Sequence, residues 1–98
     1  MFAAAVVFDV HIPDCHSLKQ KRAVVKPVVD GLWRRYRVSA AEVDHQNLWQ
    51  RATIGVAVAA GTEAHARDVL DEVERFVWSF PEVQVLSVRR RWLEEEDE

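Results

Sequence analysis

Seven side chains able to transfer protons or hold a metal ion stand near the ends of the predicted strands: Asp9, His11, Cys15, His16, Glu42, Asp44 and His45. Asp9 and His11 share one strand face, where a carboxylate beside an imidazole suits a general base. Cys15 and His16 are adjacent, which is poor geometry for a thiolate–imidazolium pair. His11 and His45 have no third ligand at a fixed spacing. We therefore predict no catalytic residue, no metal site and no cofactor, and we interpret these side chains as partners for backbone groups at strand ends.

The strongest chemical signal is cationic. Residues 17–22 read Ser-Leu-Lys-Gln-Lys-Arg and open a predicted helix with three positive charges, although the formal net charge of the chain is −3. The helix dipole disfavours cations in a first turn, so local stability does not explain them. Three arginines add charge at the far end of the same helix: Arg34, Arg35 and Arg37.

One side of this helix combines cations with a tryptophan. On a helical wheel, Lys19, Arg22, Lys26 and Trp33 lie about 60–100° from the apolar stripe. Cations beside an exposed aromatic ring suit a phosphate backbone with a stacked base. The alternative is a solvated helix face on which Trp33 lies flat against neighbouring structure. The predicted binding residues, which include two arginines of the last strand, are Lys19, Lys21, Arg22, Lys26, Trp33, Arg89 and Arg91.

The last predicted strand carries three consecutive arginines. Arg89 and Arg91 share one face, and Arg90 lies on the other. If Val83 and Val85 belong to the face of Arg89, that face begins apolar and ends basic. Charges on an edge strand also prevent edge-to-edge association, so support for a binding site and protection of an edge are both open interpretations.

Length and composition indicate one globular domain. The chain has 98 residues, 49% of them hydrophobic, and one cysteine, which excludes an internal disulfide. Residues 1–61 hold eight Lys/Arg and five Asp/Glu, whereas residues 62–98 hold five and eleven. We predict a domain over 1–93 and an acidic tail over 94–98, either solvated or in contact with a basic surface. The apolar start lacks a basic leader and breaks at Asp9, so we expect a cytoplasmic protein with no membrane segment.

Periodicity gives six elements. The alternation of apolar residues predicts a strand at 2–12, and Ser17 with Gln20 forms a capping box for the first helix. Pro27 lies inside that helix and predicts a kink. The predicted elements are strand 2–12, helix 18–36, strand 37–45, strand 52–60, a helix from 61 to about 80, and strand 83–93.

The order β-α-β-β-α-β predicts an α+β, ferredoxin-like fold with a four-stranded antiparallel sheet and two helices on one face. Right-handed crossovers place the first and third strands in the centre. The uncovered face offers small and apolar side chains rather than stacking aromatics, which argues against base recognition by the sheet. Such a face suits packing against another protein, and we predict self-association. The predicted interface residues are Ala3, Ala5, Val7, Gly55 and Ala57.

Three segments resemble the bacterial YlxP-like family, a domain of unknown function: residues 11–13 (His-Ile-Pro), residues 17–22, and residues 38–52. The resemblance covers nearly the whole chain. It implies a ferredoxin-like fold and a cytoplasmic bacterial protein, whose relatives tend to be encoded beside transcription and translation factors, including ribosome-binding factor A. It supplies no catalytic residues. We therefore expect a non-enzymatic module that binds RNA or a ribosomal partner. The alternative is a homodimeric interaction unit that packs through its open sheet.

Overall fold

The computed structural model describes residues 1–94 and has the predicted element order. Its elements are β1 (Phe2–His11), α1 (Leu18–Tyr36), β2 (Ser39–Asp44), β3 (Arg51–Ala60), α2 (Glu63–Trp78) and β4 (Gln84–Glu94). The strands form one sheet in the order β2-β3-β1-β4, and every pair is antiparallel. The predicted fold, with β1 and β3 in the centre, is confirmed. Glu94 is the last residue of β4, so the rest of the predicted acidic tail lies outside the described residues.

Alternation along the central strands produces the core. Val6, Phe8 and Val10 of β1 are fully buried, whereas the intervening residues are only partly buried. The buried side joins apolar residues of both helices, such as Leu32 and Leu70, in one cluster. Both helices therefore cover the same face of the sheet, and the opposite face has no covering element among residues 1–94.

The ends of α1 follow from its capping residues. The Ser17 hydroxyl accepts a hydrogen bond from the Gln20 amide at 3.1 Å, and the Gln20 side chain accepts one from the His16 amide at 2.7 Å. The helix continues through Pro27. At its C-terminal end Arg37 adopts a left-handed conformation (φ 53°), and its amide donates to the Trp33 carbonyl at 3.2 Å. This cap delays β2 to Ser39, two residues later than predicted.

A β-bulge in β4 changes which side chains face the helices. Asp9 pairs with Ser87 but Val10 pairs with Val85, so Leu86 is an extra residue between two pairs. Before the bulge Val85 faces the core; after it the core side carries Val88 and Arg90. Val83 and Val85 therefore do not share a face with Arg89 and Arg91, and the conditional prediction of a face that begins apolar and ends basic is wrong.

None of the helices among residues 1–94 is long and apolar enough to span a membrane.

Candidate nucleic-acid interface

The exposed side of α1 carries the predicted cations and tryptophan. Lys19 and Arg22 are exposed in the first two turns, and neither has an ion-pair partner among residues 1–94. Lys26 is also exposed, but its ammonium lies 2.7 Å from a carboxylate oxygen of Asp30. Trp33 is 64% exposed. The structure therefore brings four of the predicted binding residues to one helix side, with the charge of Lys26 balanced locally.

The C-terminal end of this side forms a shallow pocket of about 410 Å³ lined by Trp33, Arg34 and Arg37. All three residues are exposed. The third arginine of this end is engaged elsewhere, because the Arg35 guanidinium lies 4.9 Å from the centre of the Phe76 ring. We use the term α1 face for Lys19, Arg22, Trp33, Arg34 and Arg37.

Lys21 does not belong to the α1 face. Its position contradicts the prediction that it is a binding residue. It is only 1% exposed. Its ammonium donates to three backbone carbonyls: those of His45 (2.6 Å) and Leu48 (2.7 Å) in the β2–β3 connection, and that of Arg51 (3.0 Å) at the start of β3. It also lies 2.7 Å from a carboxylate oxygen of Glu42. Since an ammonium has three N–H donors and all are used, Lys21 is unavailable to a phosphate.

This buried lysine is the main feature that the sequence pattern missed. Lys21 falls four residues before Val25 and seven before Val28, so it lies on the buried stripe of α1 rather than beside it. That spacing is the signal that could have distinguished Lys21, which is buried, from Lys19 and Arg22, which are exposed. A lysine on an apolar stripe requires acceptors at its end, and the β2–β3 connection provides them.

The arginines of β4 do not join the α1 face. Arg89 and Arg91 lie on the uncovered side of an edge strand, away from both helices. Arg89 is 3.8 Å from a carboxylate oxygen of Asp9. The sheet separates them from the cations of α1, and their role in binding stays a prediction. Arg90 faces α2 and forms ion pairs there with Glu74 (2.8 Å) and Asp71 (2.7 Å).

The candidate catalytic side chains are held by separate partners. Asp9 accepts hydrogen bonds from Thr53 (2.7 Å) and Ser87 (3.0 Å), and the Thr53 bond above all holds its pKa below the ordinary value, against the opposing effect of burial. The imidazole of His11 contacts the Gln84 amide oxygen at 3.0 Å. Asp9 and His11 thus have different hydrogen-bond partners.

The thiol and the remaining histidines give no metal centre. Cys15 is buried, and its thiol donates to the Ser17 carbonyl at 3.3 Å. His45 has a left-handed backbone conformation (φ 60°), and its carbonyl accepts a hydrogen bond from the Lys21 ammonium. Among residues 1–94 no group of three or more His, Cys, Asp or Glu is placed to hold a metal ion.

The uncovered sheet face carries the predicted interface residues. Ala3, Ala5 and Val7 are partly exposed and Ala57 is exposed, which agrees with the side predicted for them. Gly55 is also partly exposed, and a Cβ built there would lie 3.1 Å from a methyl group of Val43 on the neighbouring strand. The role of these residues in self-association stays a prediction. An apolar depression of about 410 Å³ remains, lined by residues that include Ala3, Ala5, Ala57, Ala59, Arg91 and Leu93.

Comparisons of the sequence with known proteins find a family match and a similar bacterial protein. Residues 4–90 match the family model described as a protein of unknown function, DUF503. The chain is 35% identical to the uncharacterized protein YlxP of Bacillus subtilis (strain 168) over 81 residues, which are 83% of this chain and 88% of that protein.

Two designed proteins share the fold. The solution structure of LFR1 1, designed with a ferredoxin fold, has a TM-score of 0.59 and 17% identity, and covers 97% of this chain and 88% of its own. The designed protein Foldit4 has a TM-score of 0.56 and 8% identity, and covers 98% of this chain and 100% of its own. These two likenesses concern the fold alone. The family match over 4–90 and the similarity to YlxP together show that the chain belongs to the YlxP-like DUF503 family.

Proposed function

We propose that this protein is a non-enzymatic RNA-binding module whose contact surface is the α1 face. One observation carries the proposal. Lys19 lies in the first turn of a helix, where the dipole opposes its charge, Arg22 lies one turn later, and both are exposed with no carboxylate paired to either one within residues 1–94. Charges kept at a local cost favour a negatively charged partner.

The remaining members of the α1 face extend the same surface. From Lys19 to Trp33 is fourteen helical steps, or about 21 Å, which spans several phosphates of an extended strand. Arg34 and Arg37 at the far end are also favoured by the negative end of the helix dipole, so they support the proposal less strongly. The gene neighbourhood implied by the family resemblance favours RNA over other polyanions.

The decisive experiment removes two charges from α1 and, in a control, two from α2. We expect Lys19→Gln/Arg22→Gln to weaken binding of RNA oligonucleotides and to reduce the slope of log K against log salt by about 0.7 per lost phosphate contact. The control Arg67→Gln/Arg75→Gln removes the same charge from the other helix and should keep the wild-type slope. RNA binding that is equal in the two variants, or wild-type binding to anionic vesicles and not to RNA, would contradict the proposal.

A second candidate function rests on the uncovered sheet face. Leu93, at its apolar end, is 66% exposed, and the neighbouring alanines allow a close approach. We propose self-association through this face as the alternative, with α1 merely solvated. Sedimentation equilibrium at micromolar concentration should then give a dimer that high salt preserves, because apolar packing is not screened. Ala57→Glu should dissociate it and the helical control Ala64→Glu should not; a wild-type mass of one chain excludes this candidate.

A further inference from the structure

Trp33 is the least explained aromatic side chain of the α1 face. It is 64% exposed, and its ring has no aromatic or cation partner among residues 1–94. Trp92, by comparison, is 42% exposed and has the Arg67 guanidinium 5.5 Å from its ring centre. An indole left open to solvent contributes little to the core and offers a flat surface to a ligand.

Two arginines share a pocket with this ring. Arg34 and Arg37 line the same pocket as Trp33, and its volume of about 410 Å³ lies at the lower end of the range of ligand pockets. The C-terminal end of α1 fixes the backbone of this pocket, because the Arg37 amide donates a hydrogen bond to the Trp33 carbonyl at 3.2 Å. The pocket thus combines an open aromatic face with two donors for phosphate oxygens.

We propose that this pocket holds one unpaired nucleobase stacked on Trp33, with its flanking phosphates on Arg34 and Arg37; the inference rests on the proposed function. A base inside a duplex has both faces stacked on its neighbours, so an indole contacts it only after unstacking. An unpaired base is free to stack. The ligand class is therefore single-stranded RNA, or RNA with an unpaired segment, and not continuous duplex.

The test compares three ligands of about twelve nucleotides: an unstructured strand, its duplex, and the same strand without bases. Fluorescence anisotropy should show that wild type binds the unstructured strand most tightly. Trp33→Ala should weaken that binding about 5-fold or more, and should leave binding of the abasic strand unchanged. Trp33→Phe, which keeps an aromatic ring, should retain most of the affinity.

The control is a tryptophan of equal exposure on the other helix. Trp78 is 60% exposed on α2, and Trp78→Ala should bind like wild type. Unchanged binding of the unstructured strand by Trp33→Ala would overturn this inference alone, since Lys19 and Arg22 would still account for RNA binding. Equal losses on the normal and abasic strands would overturn it too. Failure of wild type to bind any of the three ligands would overturn the proposed function and this inference with it.

Discussion

The ammonium of Lys21 joins parts of the chain that are far apart in the sequence. It links the first turns of α1 to carbonyls 24 to 30 residues away, and Lys21 itself is only 1% exposed. A buried charge requires a full set of partners, because an incomplete set leaves uncompensated groups in a medium of low polarity. The sequence Lys19-Gln20-Lys21-Arg22 thus contains one structural and two surface cations.

Removing the Lys21 charge should be severely destabilising. Lys21→Met removes the side-chain donor from three carbonyls and the cation beside the Glu42 carboxylate, and we expect a loss of about 3–5 kcal/mol in the free energy of unfolding. Lys19→Met is the matched control, and should stay within about 0.5 kcal/mol of wild type. Urea denaturation measures both. Similar stabilities of the two variants would show that the buried ion pair does not hold the β2–β3 connection.

Asp9 provides a pH-dependent contribution to stability. Because its folded pKa is lowered, chiefly by the Thr53 hydroxyl, the contribution is complete above the ordinary carboxyl pKa of about 4 and is lost as pH falls through the folded pKa. We expect Thr53→Val to raise the pKa of Asp9, and Ser87→Ala to raise it less. The stability difference between wild type and Thr53→Val should be largest at neutral pH and should shrink in acid.

An NMR titration of the Asp9 carboxyl measures these pKa values directly, and urea denaturation at neutral and acidic pH measures the stability difference. An Asp9 pKa that is the same in wild type and in Thr53→Val would show that the hydroxyl does not stabilise the carboxylate.

At the level of elements, α1 and α2 meet where a glycine faces an aromatic ring. A Cβ built on Gly31 would lie 2.5 Å from the end of the Phe76 ring. That ring has little freedom, since Tyr36 and Phe80 both form T-shaped pairs with it, at 5.8 and 5.1 Å between ring centres. Gly31, which weakens a helix by its flexibility, is thus required by the close approach of the two helices.

A Gly→Ala substitution usually stabilises a helix, but we expect Gly31→Ala to destabilise this protein. The gain in helix propensity is about 1 kcal/mol, but overpacking against Phe76 costs about 1–3 kcal/mol, so we expect a net loss of stability. In a Phe76→Leu background the same change should become neutral or stabilising. Thermal unfolding of the four proteins gives the coupling. A stabilised Gly31→Ala single variant would contradict the close packing.

Local patterns were enough to predict most elements, and tertiary contacts decided the rest. The alternation of β1 and the apolar stripe of α2 located both correctly, because each is a regular repeat with one buried face. The beginning of β2 was placed too early, since the left-handed cap at Arg37 has no glycine to mark it. Lys21 differs from its prediction because its acceptors are supplied by residues far away in the sequence, which a local pattern does not reveal.

At the level of the whole molecule, the two halves of the chain carry opposite charge. Residues 1–61 have an excess of three positive charges and residues 62–98 an excess of six negative ones. The cations of the α1 face lie in the first half. A negative molecule can still bind RNA when its cations are concentrated on one surface, but its remaining charge opposes the approach of the ligand.

Four of the negative charges lie at residues 95–98, and their removal changes the formal net charge from −3 to +1. We expect replacement of these four acids by Gln to strengthen RNA binding about twofold or more at low ionic strength, with a difference that vanishes at high salt. Deletion of the four residues should have the same effect if charge alone matters. Anisotropy titrations at two salt concentrations measure it. Weaker binding after neutralisation would show that the acids favour the complex.

The extra residue Leu86 determines on which face of the sheet each of three consecutive arginines lies. Because it reverses the alternation of β4, Arg90 reaches the carboxylates of α2 while Arg89 and Arg91 remain on the uncovered side. If the same residues of β4 paired without a bulge, two of the three guanidinium groups would lie under the helices and one outside, whereas a relative that lacks Leu86 altogether would keep the present arrangement. Alignments of this strand must therefore place any one-residue gap at the bulge. If the gap is placed elsewhere, the residues between the gap and the bulge are aligned with residues of the opposite sheet face.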